Sequence, residues 1–210
     1  MKYKPVVSVV CVIVLLGVLL PGSAQAQDTA QPHDGLYRIV YANFTHVDLE
    51  ACIITKTNVS TMIAAYKQPG NRRDNPILGS ARQTLYSCED GRYLDSYDAT
   101  VFNEAVSSSI DPALKKASLK VAVPLRTFAG EPVKTLFVDI HWSGVGELTR
   151  YKDRSRSDRC LEIMSMKQAY RQAVAWGSIS DGQTEFAQAF ESGEFYEVDT
   201  HSVTKGCYGP

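Results

Sequence analysis

The stretch CLEIMSMKQAYRQAVAWG, residues 160–177, decides whether this chain is all-β or mixed. It is made of good helix formers, and Gly177 stands where a helix would stop. The same stretch also alternates. On an extended chain Tyr170, Gln172, Val174 and Trp176 share one face, and Ala169, Arg171, Ala173 and Ala175 share the other. Local propensity favours helix, the alternation permits a strand, and the stretch by itself leaves both open.

Upstream the pattern is clearer. In LKVAVPL, residues Leu119, Val121, Val123 and Leu125 fall on one face. In VKTLFVDIHW, Leu136, Val138, Ile140 and Trp142 do the same, and FAGEP between the two runs reads as a hairpin loop. LYRIVYANF, FTHVDLEACIITKTN, VSTMIAAYK, ARQTLYSCE and RYLDSYDATVF are further strand candidates, rich in β-branched residues and tyrosine. QPGNRRDNPILGS, residues 68–80, is full of breakers and reads as a long loop. The chain shows no internal repeat. Short strands at this spacing predict an all-β fold, a single antiparallel β-sandwich or partly open barrel.

VDIHWSGVGELTR, then a hydrophilic run, then YRQAVAWGSISDGQTEF and SGEFYEV form a longer pattern over residues 133–200. It resembles uncharacterised exported bacterial β-rich proteins. Their tract reads Val-Asp-(Leu)-Thr-Trp-Thr-Gly-x-Gly-x-(Leu)-(Thr)-Arg, then Phe-Arg-x-Ala-x-Ala-x-Gly-x-(Val)-Ser-Asp-Gly. Cys160 and the methionines beside it have no counterpart there. The resemblance implies a strand over 168–180 that ends at the turn Asp181-Gly182-Gln183. It leaves 160–166 open and implies no activity.

The first residues read as an export signal. Lys2 and Lys4 precede the uncharged apolar run VVSVVCVIVLLGVLL, and Pro21-Gly22 and Ala24-Gln25-Ala26 follow it. A signal peptide over 1–26 leaves one β-rich domain, 27–210, secreted to an extracellular or periplasmic space. Cys11 lies within the apolar run, so no lipid anchor follows from it. Without Lys2 and Lys4 the chain has 20 basic and 23 acidic residues, formally −3. That balance points away from nucleic acid and from membrane surfaces.

Four cysteines remain: Cys52, Cys88, Cys160 and Cys207. An even number in an exported chain predicts two disulfides stapling the fold. Loop entropy gives each of the three connectivities roughly 4 kcal/mol per bridge and does not choose. The expected pairing is sequential, Cys52–Cys88 and Cys160–Cys207, because the second bridge would pin the glycine-rich tail TKGCYGP. No CxxC or close Cys/His spacing suggests zinc.

Several residues invite a functional reading. Asp139, His141 and Ser143 alternate on one strand, where neighbours lie roughly 6.5–7 Å apart, too far for a triad relayed by hydrogen bonds. SGVG fits neither a nucleophile elbow nor a dinucleotide fingerprint; its glycines read as a turn or bulge between two strands, and DIHWSGVGEL most simply as strand, turn, strand. Asp-x-His occurs at 139–141 and again at 199–201. Were the two strands neighbours, Asp139, His141, Asp199 and His201 could hold the metal of a hydrolase. Arg150, Lys152, Arg154 and Arg156 line one face of an extended segment with Arg159 beyond, a net +3 over residues 150–159. Such a stripe suits an anionic polymer. Tyr86, Tyr93, Tyr97, Tyr151, Tyr170, Tyr196, Trp142 and Trp176 could stack on sugars, but a core role is the simpler expectation. No cofactor motif is present. The expected function is a non-catalytic extracellular binding or structural module, its partner an extracellular polysaccharide or cell-surface component. The two alternatives are the anionic-polymer binder and the metal-dependent hydrolase.

Overall fold

Alternation wins over helix propensity in residues 160–177. In the computed structural model the whole of Cys160–Ser180 is one strand. It pairs with the strand Glu191–Cys207 up to Ala175 and with Pro132–Ser157 on its other side, so most of its backbone groups are bonded across the sheet, and Ala169, Ala173, Ala175 and Ile179 are buried on its inner face. Gly177 ends nothing. Its φ is +139°, and a Cβ there would lie 2.1 Å from the carbonyl oxygen of Asp139 on the neighbouring strand. The glycine is therefore a site of close backbone approach inside the strand.

The structure describes residues 35–66, 76–157, 160–187 and 190–207, and only the backbone for 66, 155–157, 160–164 and 202–207. The expected signal peptide lies outside them. The described residues belong to one compact unit, Pro32–Pro210. Among the described residues nine strands run β1 (Gly35–Asp48), β2 (Ile53–Tyr66), β3 (Ile77–Ser87), β4 (Tyr93–Phe102), β5 (Val106–Ile110), β6 (Lys116–Arg126), β7 (Pro132–Ser157), β8 (Cys160–Ser180) and β9 (Glu191–Cys207). All are antiparallel to their neighbours, in the order β4-β3-β2-β1-β9-β8-β7-β6-β5. The sheet curls until β4 meets β6 at one pair, Asp98 with Arg126. The result is a partly open antiparallel barrel, one of the two all-β forms expected from the strand pattern. β5 covers the gap: Ser108 hydrogen-bonds Thr61 of β2 (2.8 Å), and Val106 packs close over Gly79 of β3.

The interior follows strand parity. β6 contributes Ala117, Leu119, Val121, Val123 and Leu125, and β7 contributes Leu136, Val138, Ile140 and Trp142. Val40, Ala42 and Phe44 of β1 and Phe195 of β9 meet them from the other side. Each large side chain buried this way contributes roughly 1.5–3 kcal/mol. Inside the barrel Gln83 Nε2 donates to Thr57 Oγ1 (3.1 Å), while Gln83 Oε1 and Trp142 Nε1 are buried without a hydrogen-bond partner among the described residues.

Several boundaries differ from expectation. The predicted strand over 44–58 breaks at residues 49–52. There Asp48 accepts hydrogen bonds from the backbone N–H groups of Glu50 and Ala51, and Cys52 takes a positive φ of 51°. A side-chain acceptor makes this turn, where no glycine or proline announced one. Residues 77–80 belong to β3 rather than to the loop, and 67–75 lie outside the described residues. SGVG is no turn. β7 runs 26 residues, past Gly146, whose φ of 67° accommodates a bulge between Val145 and Thr149. The strand survives because β8 continues opposite it on both sides of the bulge. The tail through Cys207 is held as a strand against β8, so it needs no bridge to order it.

Cys52 and Cys88 form a disulfide between the β1–β2 and β3–β4 turns, at a sequence separation of 36. The register sets Cys160 directly opposite Cys207. Peptide mapping of unreduced protein is expected to recover Cys160 joined to Cys207 as a second bridge; free thiols at both would count against it. Gly177→Ala is expected to lower the stability to urea unfolding by about 1–3 kcal/mol. An unchanged midpoint would mean that β7 and β8 approach less closely than described.

Candidate binding surfaces

The register decides which candidate residues meet. Asp139 and His141 lie on the outer face of β7, with Asp139 Oδ1 3.6 Å from His141 Nε2 and Lys120 Nζ 3.0 Å from Asp139 Oδ2. The His141 ring stacks on Trp176 of β8 (centroids 6.0 Å apart). Ser143 shares that face but is joined to neither by a hydrogen bond among the described residues. Asp199 and His201 are elsewhere. β8 separates β7 from β9. Asp139 is level with Ser178 and Asp199 with Lys167, eleven positions apart on β8, or roughly 36 Å along the strand. The inner and outer faces separate them further. The four residues form no common centre, and no group of three or more metal-ligating side chains occurs among the described residues.

The basic run behaves differently. Beyond the bulge, Arg150 pairs with Ala169, whose side chain is buried on the inner face. Arg150, Lys152 and Arg154 therefore line the continuation of that inner face past the mouth of the barrel, and all three are exposed. Asp153 and Tyr151 turn to the opposite face. Strand parity thus removes Asp153, one of the two acids that dilute the stripe in sequence. Arg156 pairs with Ile163 in the same register, and Arg159 lies outside the described residues.

Neighbouring strands add residues that no sequence window contains. Lys167 sits directly opposite Lys152, and Arg38 of β1 lies across from Glu197 of β9. Arg38 Nε donates to Glu197 Oε2 (2.6 Å), and Lys167 Nζ approaches Asp199 Oδ2 (3.8 Å). Among the described residues the mouth therefore gathers Arg38, Arg150, Lys152, Arg154 and Lys167 against Glu197 and Asp199. Arg171 closes it from below, donating Nε and Nη2 to the carbonyl oxygen of Gly146 (3.2 and 3.0 Å).

The reverse face of these strands holds tyrosines. Tyr151, Tyr170, Tyr196 and Tyr41 lie on β7, β8, β9 and β1, one per adjacent strand. Tyr170 and Tyr196 are directly paired with ring centroids 5.2 Å apart, and Tyr196 and Tyr41 stack at 5.9 Å. Three hydroxyls converge on one carboxylate. Tyr196 donates to Glu194 Oε2 (2.6 Å), Tyr41 to the same oxygen, and Tyr170 to Oε1 (3.2 Å). Burial, reinforced by the Glu194 charge, pushes the Tyr41 hydroxyl up to about 12, and the same causes raise Tyr170 and Tyr196. Beside the carboxylate lies a recess of about 260 Å³ lined by Tyr41, Asn43, Gln172 and Ser192.

The expectation that the aromatics serve the core holds for Trp142, which is buried, and for Tyr97, which packs against the core. It fails for Tyr151, Tyr170 and Tyr196, whose parity turns them outward. Nothing in the sequence nominated Tyr41 or Glu194, because their relation to Tyr170 exists only across three strands. Comparison with family models, curated proteins and solved structures finds no match for this chain.

A tyrosine whose folded pKa is raised stabilises the fold below its unfolded value of about 10, and that contribution is lost as pH rises through the folded value. Stability is therefore expected to fall between pH 10 and about 12, with phenolate absorbance lagging behind that of the unfolded chain. Glu194→Gln removes the charge and should bring phenolate formation to lower pH. A titration identical in the two proteins would show that Glu194 does not hold the cluster.

Proposed function

We propose that the protein is an exported, non-catalytic binding module that holds an anionic polymer, such as a sulfated or carboxylated polysaccharide, across the basic mouth of its barrel. The observation that carries this reading is the gathering of Arg150, Lys152, Arg154 and Lys167 on one exposed face. An isolated surface cation contributes little. Cations repeating along a strand every 6.5–7 Å can meet a repeating polyanion at several points at once. Lys152 stands directly opposite Lys167, and like charges repel across a strand pair, a repulsion that Asp199, 3.8 Å from Lys167, offsets in part. A bound polyanion would relieve that repulsion.

Export is supported by the leader-like first residues and by the Cys52–Cys88 disulfide, a bond that persists in oxidising compartments. No helix among the described residues is long and apolar enough to cross a membrane. Against an enzyme stands the separation of Asp139 and His141 from Asp199 and His201.

Immobilised dextran sulfate tests the proposal. The protein is expected to be retained at low ionic strength and released by about 1 M NaCl, where the Debye length falls to roughly 3 Å. The variant combining Arg150→Ala, Lys152→Ala and Arg154→Ala should pass through unretained, with unchanged circular dichroism. Beyond Ser143, β7 pairs with β8 alone, and charge there also guards a free sheet edge. If edge protection were its whole role, the variant would aggregate and the unaltered protein would ignore the resin.

A further inference from the structure

We infer that the outer face of β7, β8, β9 and β1 is a second binding surface, one for uncharged sugar rings, with the recess beside Glu194 seating one pyranose. The inference is independent of the basic mouth, which lies on the opposite face of the same strands.

The first support is the tyrosine array. A pyranose presents a flat patch of C–H groups on each face, and aromatic rings match that patch in shape and polarity. Tyr151 is 61% exposed on the same face, diagonal to Tyr170 across the β7–β8 pair, and the rings of Tyr170, Tyr196 and Tyr41 follow in contact. The rings form a strip rather than a box. Tyr41 and Tyr196 are within 10° of parallel, and Tyr170 is tilted 51° from Tyr196. A cage for a quaternary ammonium would need rings facing a common centre.

The second support is preorganisation. The hydrogen bonds to Glu194 fix the orientation of three rings before any ligand arrives. A ligand stacking on them need not immobilise them, which removes part of the entropic cost of binding.

The third is the chemistry of the recess. A carboxylate has about four acceptor positions, and the tyrosines use three, leaving one on Oε1 for a sugar hydroxyl. Each tyrosine oxygen that donates to Glu194 can still accept. Asn43 accepts from Asn58 through Oδ1 (2.8 Å) and keeps its own amide hydrogens for a ligand. Gln172 and Ser192 supply further donors and acceptors. Such alternation suits hydroxyl groups, each of which donates and accepts. Among the described residues no cation lines the recess and one carboxylate does, a lining that disfavours anions. At about 260 Å³ the recess lies below the roughly 300–1,000 Å³ of sites for drug-sized ligands, a size for one ring of a longer chain.

Calorimetric titration of the full chain with neutral tetrasaccharides of glucose, mannose, galactose and N-acetylglucosamine tests the inference. At least one is expected to bind, with an affinity unchanged between low salt and about 1 M NaCl, since no charge on the ligand is screened. Tyr151→Ala, at an exposed position, should weaken binding roughly tenfold without altering the melting temperature. Glu194→Gln should also weaken it. Tyr93→Ala, on the distant β4, should leave it unchanged. Failure of all four sugars to bind, equal binding by Tyr151→Ala, or binding of choline in their place would overturn the inference. Loss of retention on dextran sulfate would bear on the basic mouth alone.

Discussion

The indole of Trp142 sets the register on which the rest of this molecule depends. It is 1% exposed on the inner face of β7. Its register partners are small: Ala117 on β6 and Ala175 on β8. Gly193 on β9 leaves room as well, since a Cβ there would come within 3.0 Å of the indole. A large ring fits only where its neighbours are small, and interiors packed to crystal density hold few alternatives. A slip of one residue would turn every side chain of a strand to the other face. In β7 such a slip would turn Tyr151 into the barrel mouth and put Arg150, Lys152 and Arg154 on the face that carries Tyr170.

Both surfaces follow from this one constraint. β7 interleaves Arg150, Lys152 and Arg154 with Tyr151 and Asp153, so a fixed parity sorts a mixed sequence into a basic face and an aromatic face. The bulge at Gly146 matters for the same reason. It advances β7 by two residues relative to β8, an even number, so the alternation carries through and inner-facing Trp142 and inner-facing Arg150 pair with residues of equal parity, Ala175 and Ala169. The barrel supplies the rigidity, and the strands that extend past its rim present the surfaces.

The fold was legible where one face is wholly buried. β6 and the first half of β7 alternate because Leu119 to Leu125 and Leu136 to Trp142 fill the interior, and the sequence shows it directly. Residues 160–177 were ambiguous because small alanines line the inner face of β8, and alanine is also the best helix former. β5 was missed because VSSSI is short and half polar. The turn at residues 49–52 was missed because a carboxylate, rather than glycine or proline, makes it. Of the surfaces, the basic row could be read within one strand. The tyrosine cluster and the pairing of Lys152 with Lys167 could not, since each joins residues far apart in the chain. The echo of Asp-x-His at 139 and 199 misled for the same reason: similarity along the chain says nothing of adjacency across a sheet.

The most direct test of this account is the pattern of backbone nuclear Overhauser effects across β7, β8 and β9 in isotopically labelled protein. The account predicts cross-strand contacts linking Trp142 with Ala175, Arg150 with Ala169, and Tyr170 with Tyr196. Contacts displaced by one residue at any of these pairs, or helical sequential contacts through residues 160–177, would contradict it.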